Sequence, residues 1–496
     1  MQTRRSTNHL NLSRRSFGVM AGSLAAAASP LVAMQQAAAA ERPLGSSSFG
    51  RAKRVMLLYL YGAAAQHETW DPKPDAPAEI RGKFNPISTA VPGMQICEHL
   101  PKVAKITDRL TLVRSMSHPY NIHSAAYTMS GIDKVDIPME LNPFDARHWP
   151  SFGSVLDYLA TKANPTAPPP STPRNICLPF RFSSRAGEFT RGGPYGGFLG
   201  RGYDPVCTEF EGAITGKTAR WRGNDMQSVD EPYLGIDPAS RFVVSQAKGD
   251  AAMPLDQLNS RWSLLSKLQH EQRDYQTAAA SRGHDRFREM AYSLLTSNEI
   301  KTALDLTREK DSLREQYGHT LFGQATLAGR RLLEAGAKLV TVIWDEIKIA
   351  NSAWDTHFHH YERLQDELLP GLDRALSTLI VDLEQRGMLD DTLVLCITEH
   401  GRTPRIHDKG ANGAGREHWS DVYSNAFAGA GITRGNIIGS SDKHGSFVQE
   451  NPINPKDILC TIYHLLGIDA HTMIPDRLGR PLPLVTGGRV VHEMLS

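Results

Sequence analysis

Histidines and carboxylates recur in four short stretches of this sequence. The first holds His67, Glu68 and Asp71, and the second His118 and His123. The third is Trp354-Asp355-Thr356-His357, with His359 and His360 close behind. The fourth is Glu399-His400-Gly401-Arg402, followed by Gly415-Arg416-Glu417-His418-Trp419. Carboxylates and neutral imidazoles are the ligand set of zinc, manganese, iron or a calcium-like ion. Two such ions about 4 Å apart can clamp the attacking and leaving oxygens of a phosphoryl or sulfuryl transfer. Each stretch also has an ordinary structural reading. Asp355 and His357 could cap the helix that follows them, Glu399-His400 could be a salt-bridged strand end, and His418 could be a surface histidine. His359 and His360 read as solvated. The metal reading draws on the joint pattern, and it requires a fold that brings distant stretches together.

The surrounding elements suit that requirement. Residues 55–61 are a continuous apolar run closed by Gly62, as in a strand buried on both faces. Residues 110–113, 338–345 and 392–399 read as further strands, the last two ending on an acid. Leu364, Leu368, Leu372, Leu376, Leu379 and Leu383 form one stripe of a helix over 360–386, stopped by Gly387. Residues 302–335 read as helical up to Gly336, and Asn454-Pro455 opens a helix that runs to Leu466 and Gly467. Helices alternating with buried strands predict an α/β fold with a largely parallel sheet covered on both faces. In such sheets ligands gather at the carboxyl ends of strands, where all four stretches fall. Residues 163–235, rich in Pro, Gly and aromatics, read as a long irregular insertion beside the site.

Composition narrows the partners. The chain of 496 residues is 40% hydrophobic and 22% charged, as a soluble globular protein would be. Its formal charge is +2, but residues 1–40 hold four arginines and no acid, leaving 51 basic against 53 acidic side chains. A near-neutral body offers no general electrostatic reason to expect nucleic acid or an anionic membrane as partner. Five cysteines without CxxC spacing do not make a disulfide scaffold, and Cys396 and Cys460 read as packing residues.

Ser13-Arg14-Arg15-Ser16-Phe17-Gly18 is a twin-arginine motif, followed by a weakly apolar stretch at 19–28 and small residues at 37–40. The expectation is a signal peptide at 1–40, handed to the twin-arginine translocase and leading to the periplasm or the exterior. The apolar stretch is too short for a transmembrane anchor, which needs about 20 residues. Residues 41–496 are expected to form a single domain. Export in the folded state permits a metal to be loaded in the cytoplasm.

Several longer motifs resemble a secreted bacterial family known as domain of unknown function 1501. They include Thr69-Trp70-Asp71-Pro72-Lys73-Pro74, Glu98-His99-Leu100-Pro101, Leu112-Val113-Arg114-Ser115 and Arg314-Glu315-Gln316-Tyr317-Gly318. The most specific are Trp354-Asp355-Thr356-His357, the run from Gly387 to Val394, Glu399-His400-Gly401-Arg402-Thr403-Pro404 and Gly415-Arg416-Glu417-His418-Trp419. The resemblance implies the fold of the alkaline phosphatase and sulfatase superfamily: an α/β sandwich with a central, largely parallel sheet flanked by helices and a metal site at the strand ends. It places the superfamily's late Asp-His pair on Glu399 and His400, its further histidine on His418, and the preceding pair on Asp355 and His357. The chain departs from the family in having Gly62-Ala63-Ala64-Ala65 for Gly-Gly-Pro-Ser, Glu68 for an aspartate, and His400 for an apolar aromatic. If Ser130-Gly131 matches the superfamily's Thr-Gly, the nucleophile position falls near Asn121, which cannot attack, and Ser124 is the nearest hydroxyl. Cys177-Leu178-Pro179-Phe180-Arg181 matches the sulfatase pattern Cys-x-Pro-x-Arg, but it follows the segment that should carry the nucleophile. It reads as a buried cysteine in a proline-turn strand.

The function expected on these grounds is an exported, metal-dependent hydrolase of phosphate or sulfate esters, carrying one or two divalent ions (zinc, manganese or calcium). Asp355, His357, Glu399, His400 and His418 are the expected ligands, with His67 and Asp71 as further candidates. Arg402 and Arg416 are expected to hold the anionic group, because the guanidinium fork matches paired oxygens. His123 stands as a substrate contact or a further ligand. The substrate class is a small anionic ester or a sulfated or phosphorylated glycan. The alternative is a catalytically silent binding protein on the same fold at the cell surface, favoured by the missing nucleophile and the Gly62–Ala65 loop. A third reading, a cysteine-dependent sulfatase, rests on Cys177.

Overall fold

A run such as Val55-Met56-Leu57-Leu58-Tyr59-Leu60 leaves no polar face for water, so a strand made from it must be covered on both sides. The computed structural model describes residues 48–186, 190–222, 225–244, 290, 297–348 and 353–496. The leader expected at 1–40 lies outside the described residues.

Among the described residues, nine strands form one sheet. They are β1 (Arg54–Leu60), β2 (Leu110–Met116), β3 (Asn175–Leu178), β4 (Val206–Glu211), β5 (Arg241–Val244), β6 (Leu339–Trp344), β7 (Thr392–Ile397), β8 (Tyr423–Ala428) and β9 (Asn436–Ile438). Their order across the sheet is β9-β2-β8-β7-β1-β6-β3-β4-β5. β1 lies parallel between β6 and β7, with Val55 facing Leu339 on one side and Leu393 on the other. β3 and β4 continue the parallel run, and β9 pairs parallel to β2. Only β8 and β5 run the other way within this sheet: β8 is antiparallel to both β7 and β2, and β5 to β4. Every residue of β6, β7 and β8 is buried, so both faces of the sheet centre are covered.

The covering helices bury single stripes. They include α1 (Ala125–Ser130), α2 (Phe152–Ala163), α3 (Leu321–Glu334), α4 (Leu369–Gln385) and α5 (Pro455–Leu465). α3 packs on β6, β1 and α4, and α5 packs on α1. The leucine stripe expected over 360–386 is buried from Leu364 to Leu383, each side chain worth about 1.5–3 kcal/mol of transfer free energy. α5 starts with a reciprocal cap: Asn454 accepts from the Asp457 backbone, and Asp457 accepts from that of Asn454. No helix among the described residues is long and apolar enough to cross a membrane.

Two expectations change. Residues 163–235 are not a structureless insertion, because β3 and β4 join the central sheet and Lys217–Arg222 pairs with Asp225–Asp230 as a ribbon. β3 is only four residues long and ends at a proline, so it shows too little periodicity to be read locally. The helix expected over 302–335 is divided into Asn298–Leu304, Asp311–Tyr317 and α3. Gly318 turns the chain at φ 93°, and the Thr320 side chain then caps α3 by accepting from the Gly323 backbone.

The topology decides where the chemistry-bearing stretches go. β1, β2, β6 and β7 point the same way, so the segments following them leave the sheet on one edge. β8 runs back from that edge, and the residues preceding Tyr423 are therefore delivered to it as well.

Candidate metal centre

Asp355 enters the centre because the chain after β6 folds back over the end of β1. The Trp354 amide donates to the Tyr61 carbonyl at 2.9 Å. Gly62, at φ 103°, lets the two backbones touch: a Cβ there would lie 2.4 Å from the Asp355 nitrogen. Gly415 permits a second close approach, since its Cβ would fall 1.8 Å from the His357 carbonyl oxygen. His418 follows, in a two-residue ribbon where Gly401 faces Trp419 and Arg402 faces His418.

These approaches assemble two overlapping sets of ligand-type atoms, His123 with His400 and His418, and Asp355 with His357 and His418. Within each set the donor atoms lie within 4.8 Å of one another. Asp355 Oδ1 is 3.0 Å from His357 Nε2 and 3.2 Å from His418 Nε2, which are 3.1 Å from each other. Edges of about 3.3 Å are what a tetrahedral ion with ligands at 2.0–2.1 Å would produce.

The outer nitrogens fix the tautomers. His357 Nδ1 donates to Glu417 at 2.5 Å, His123 Nδ1 to Glu399 at 3.0 Å, and His400 Nδ1 to the Gly401 carbonyl at 2.8 Å. Each ring then turns a lone pair at Nε2 inward, the carboxylate–histidine arrangement found behind metal ligands. His400 Nε2 is buried without a hydrogen-bond partner among the described residues. Bare nitrogens at 3.1 Å and an unpartnered buried acceptor repel one another unless a cation or a proton sits among them. The residues present fit a divalent ion.

Electrostatics point the same way. Burial would raise the Asp355 carboxyl, but Arg402 and His123 beside it hold it well below the ordinary range. Burial, with the charges of His418, His123 and Arg402, pushes His400 well below its usual value. Burial lowers His418 to about 4. His123 goes the other way: burial opposes its charge, but Asp355 and Glu399 outweigh that and raise it to about 10. Without an ion, the proton on His123 carries the positive charge that the paired carboxylates demand.

The other expected site residues have different placements. Glu399 is in neither ligand set; it stands behind His123 and also accepts from the Gly62 amide at 2.7 Å. His67 and Asp71 serve a separate network. His67 Nε2 donates to the His444 carbonyl at 2.8 Å, and Asp71 accepts from Ser441 and pairs with Lys73 at 3.0 Å. The two arginines expected to hold substrate are consumed internally. Arg402 donates to the carbonyls of Ala63, Arg416 and Gly62 and to Asp355, and it is fully buried. Arg416 donates to Glu68 and to the carbonyls of Thr403, Pro404 and Ile80. They are braces, because their short loops fold back onto the sheet edge. Asn121 is exposed, whereas Ser124 is buried and its Oγ has no partner among the described residues.

His360, read as solvated, is fully buried between Thr356 Oγ1 at 2.7 Å and Glu68 at 3.2 Å. His359 is half-buried. His118 donates from Nε2 to the Glu399 carbonyl at 2.6 Å. Cys177 is a buried free thiol in β3, in register with Cys207, and its acidity is suppressed chiefly by that neighbour and by burial. Sequence reasoning missed Tyr61, whose ring centroid lies 5.1 Å from that of His123, and Arg191, whose guanidinium lies 5.9 Å over the Tyr61 ring. The strand-end position of Tyr61 was a usable signal, but Arg191 lies in the aperiodic Pro- and Gly-rich stretch.

The family model described as "Protein of unknown function (DUF1501)" matches residues 52–495. None of the curated proteins compared matches the sequence. Among solved structures, Ps i-CgsB in complex with k-i-k-neocarrahexaose is similar at 10% identity and TM-score 0.36, over 84% of this chain and 72% of that one. The PsFucS1 sulfatase from Pseudoalteromonas sp. is similar at 11% identity and TM-score 0.35, over 88% and 70%. The phosphonate monoester hydrolase SpPMH from Silicibacter pomeroyi is similar at 10% identity and TM-score 0.34, over 89% and 76%.

Proposed function

The chain belongs to the DUF1501 family, and from that premise we propose that it is an exported, metal-dependent hydrolase of phosphate or sulfate esters built on an alkaline-phosphatase-like fold. One observation carries the reading: Asp355, His357, His123, His400 and His418 place ligand-type atoms in two sets that share His418. One or two divalent ions (zinc, manganese or calcium) would be held there. When bound, such an ion supplies charge neutralisation and Lewis acidity at an ester oxygen. The chain's own residues prepare the place. Glu417 and Glu399 orient His357 and His123, Arg402 keeps Asp355 ionised, and burial keeps His400 and His418 neutral. The twin-arginine motif at 13–18 supports export, with residues 1–40 as the signal peptide and 41–496 as the exported domain.

The test is elemental analysis of the natively exported protein, followed by assays on aryl phosphates and aryl sulfates with added Zn²⁺, Mn²⁺ or Ca²⁺. The expected result is at least one tightly held ion and turnover that is lost in His357→Ala and His418→Ala. A protein without metal, whose stability ignores chelator, would sink the proposal. Retained ligand binding with no turnover would instead favour a silent binding protein on the same fold, a reading that the exposed Asn121 at the nucleophile position supports.

A further inference from the structure

With Arg402 and Arg416 locked, the centre needs another group to meet an anionic substrate. Arg191 is only 9% exposed, and its guanidinium sits 5.9 Å over the Tyr61 ring. One of its terminal nitrogens donates to Glu140, while Nε is buried with no hydrogen-bond partner among the described residues. Tyr61 is fully buried, its ring centroid 5.1 Å from that of His123, and its hydroxyl likewise has no partner among the described residues. Leaving a buried donor unsatisfied costs about 1–3 kcal/mol, so two together beside the ligand-type atoms mark a place where something binds.

The chemistry of that missing partner follows from the donors. A guanidinium Nε–H only donates. The phenol O–H of Tyr61, which ordinarily ionises only at about pH 10, can donate too. Two neighbouring donors, one of them charged, call for an acceptor that offers an oxygen to each, which excludes a second cation at this spot. Asp355 and Glu399 flank His123, Glu140 pairs with Arg191, and the charge of Glu346 reaches Arg191; against these buried carboxylates stand the guanidiniums of Arg191 and Arg402. A divalent ion in the neighbouring centre would add two positive charges to this balance and draw in an anion that the carboxylates otherwise repel.

We propose that Arg191 and Tyr61 form an oxyanion subsite beside His123, which takes the non-bridging oxygens of a tetrahedral phosphate or sulfate group only when the neighbouring centre holds its cation. This rests on the reading of that centre as a metal site. Binding of the two ligands is then coupled, each strengthening the other by the same factor.

Inorganic phosphate is the probe, with acetate as the planar-anion control, titrated calorimetrically into full-length exported protein with and without its metal. Metal content is measured on the same samples. The expected result is phosphate binding to metal-loaded protein only, weakened about 10- to 100-fold in Arg191→Gln and to a lesser extent in Tyr61→Phe, with metal content unchanged in both. Equal phosphate affinity in wild type and both variants, with metal retained, overturns the subsite. So does acetate binding as tightly as phosphate. Absence of metal from the wild type overturns the reading of the centre itself, a different outcome. If Arg191→Gln fails to fold, Tyr61→Phe, which removes a single oxygen, carries the decision.

Discussion

At the scale of single residues, the histidines owe their ligand character to what stands behind them. Glu417 reaches His357 Nδ1 at 2.5 Å and keeps Nε2 bare toward Asp355 and His418. Glu417→Gln should therefore weaken metal affinity about 10- to 100-fold while leaving the fold intact, as read by competition with a chelating dye. Unchanged affinity would show that the tautomer is set elsewhere. Ser124 raises a separate question. Its buried Oγ lacks a partner among the described residues, and it adjoins His123. If it is the attacking group, Ser124→Ala loses turnover by several orders of magnitude with metal content preserved. A variant with full turnover would remove it from the chemistry.

At the scale of elements, the loop after β1 and the loop after β6 are locked together by a glycine. Alanine at Gly62 would put its Cβ 2.4 Å from the Asp355 backbone nitrogen and hold φ near 103°, where L-residues are strained. Neither backbone can yield without moving Asp355. Gly62→Ala should cost about 2–5 kcal/mol, seen as a lower denaturation midpoint, together with weakened metal binding. Leu376, at the centre of the buried stripe on α4, tests packing alone. Leu376→Ala should cost about 2–5 kcal/mol and leave metal content unchanged. The elements that carry the site were legible beforehand, because β1, β6 and β7 are uninterrupted apolar runs and six leucines at helical spacing run from Leu364 through α4. β3, β4, β5, β8 and β9 were not: β3 and β5 have four residues and β9 three, and Tyr423-Ser424-Asn425-Ala426-Phe427-Ala428 mixes polar and apolar residues without a period.

At the scale of the whole molecule, buried histidines make stability depend on pH. Burial lowers both His67 and His118 from 6.5 to about 4. In the unfolded chain each takes up a proton as the pH falls below 6.5, whereas in the fold each stays neutral until about 4. The unfolded state binds more protons at these two sites across that window, so their contribution to stability is full above pH 6.5 and declines down to pH 4. The loss approaches roughly 3 kcal/mol per histidine at the lower end. Thermal melts should fall from pH 6.5 to pH 4, with a shallower fall in His67→Gln; a level profile through this range would refute the assignment. A divalent ion in the proposed centre would act on the same balance. An ion at 100 times its dissociation constant stabilises the fold by about 2.7 kcal/mol, so chelation should lower Tm measurably.

The sequence by itself determined the kinds of group available and the edge of the fold where they would emerge. Residue type sets ligand chemistry, and a continuous apolar run sets a buried strand whose end must deliver whatever follows it. Which of those groups meet was decided only by tertiary structure. Strand order and the reversed direction of β8 bring His418 onto Asp355 and His357, 63 and 61 residues away along the chain. The same closure engages each guanidinium nitrogen of Arg402 with Asp355 or nearby carbonyls, and it leaves Arg191 and Tyr61 with donors unmatched. Hydrogen-bond donors are satisfied by whatever lies within about 3 Å in space, and a linear order of residues does not contain that distance.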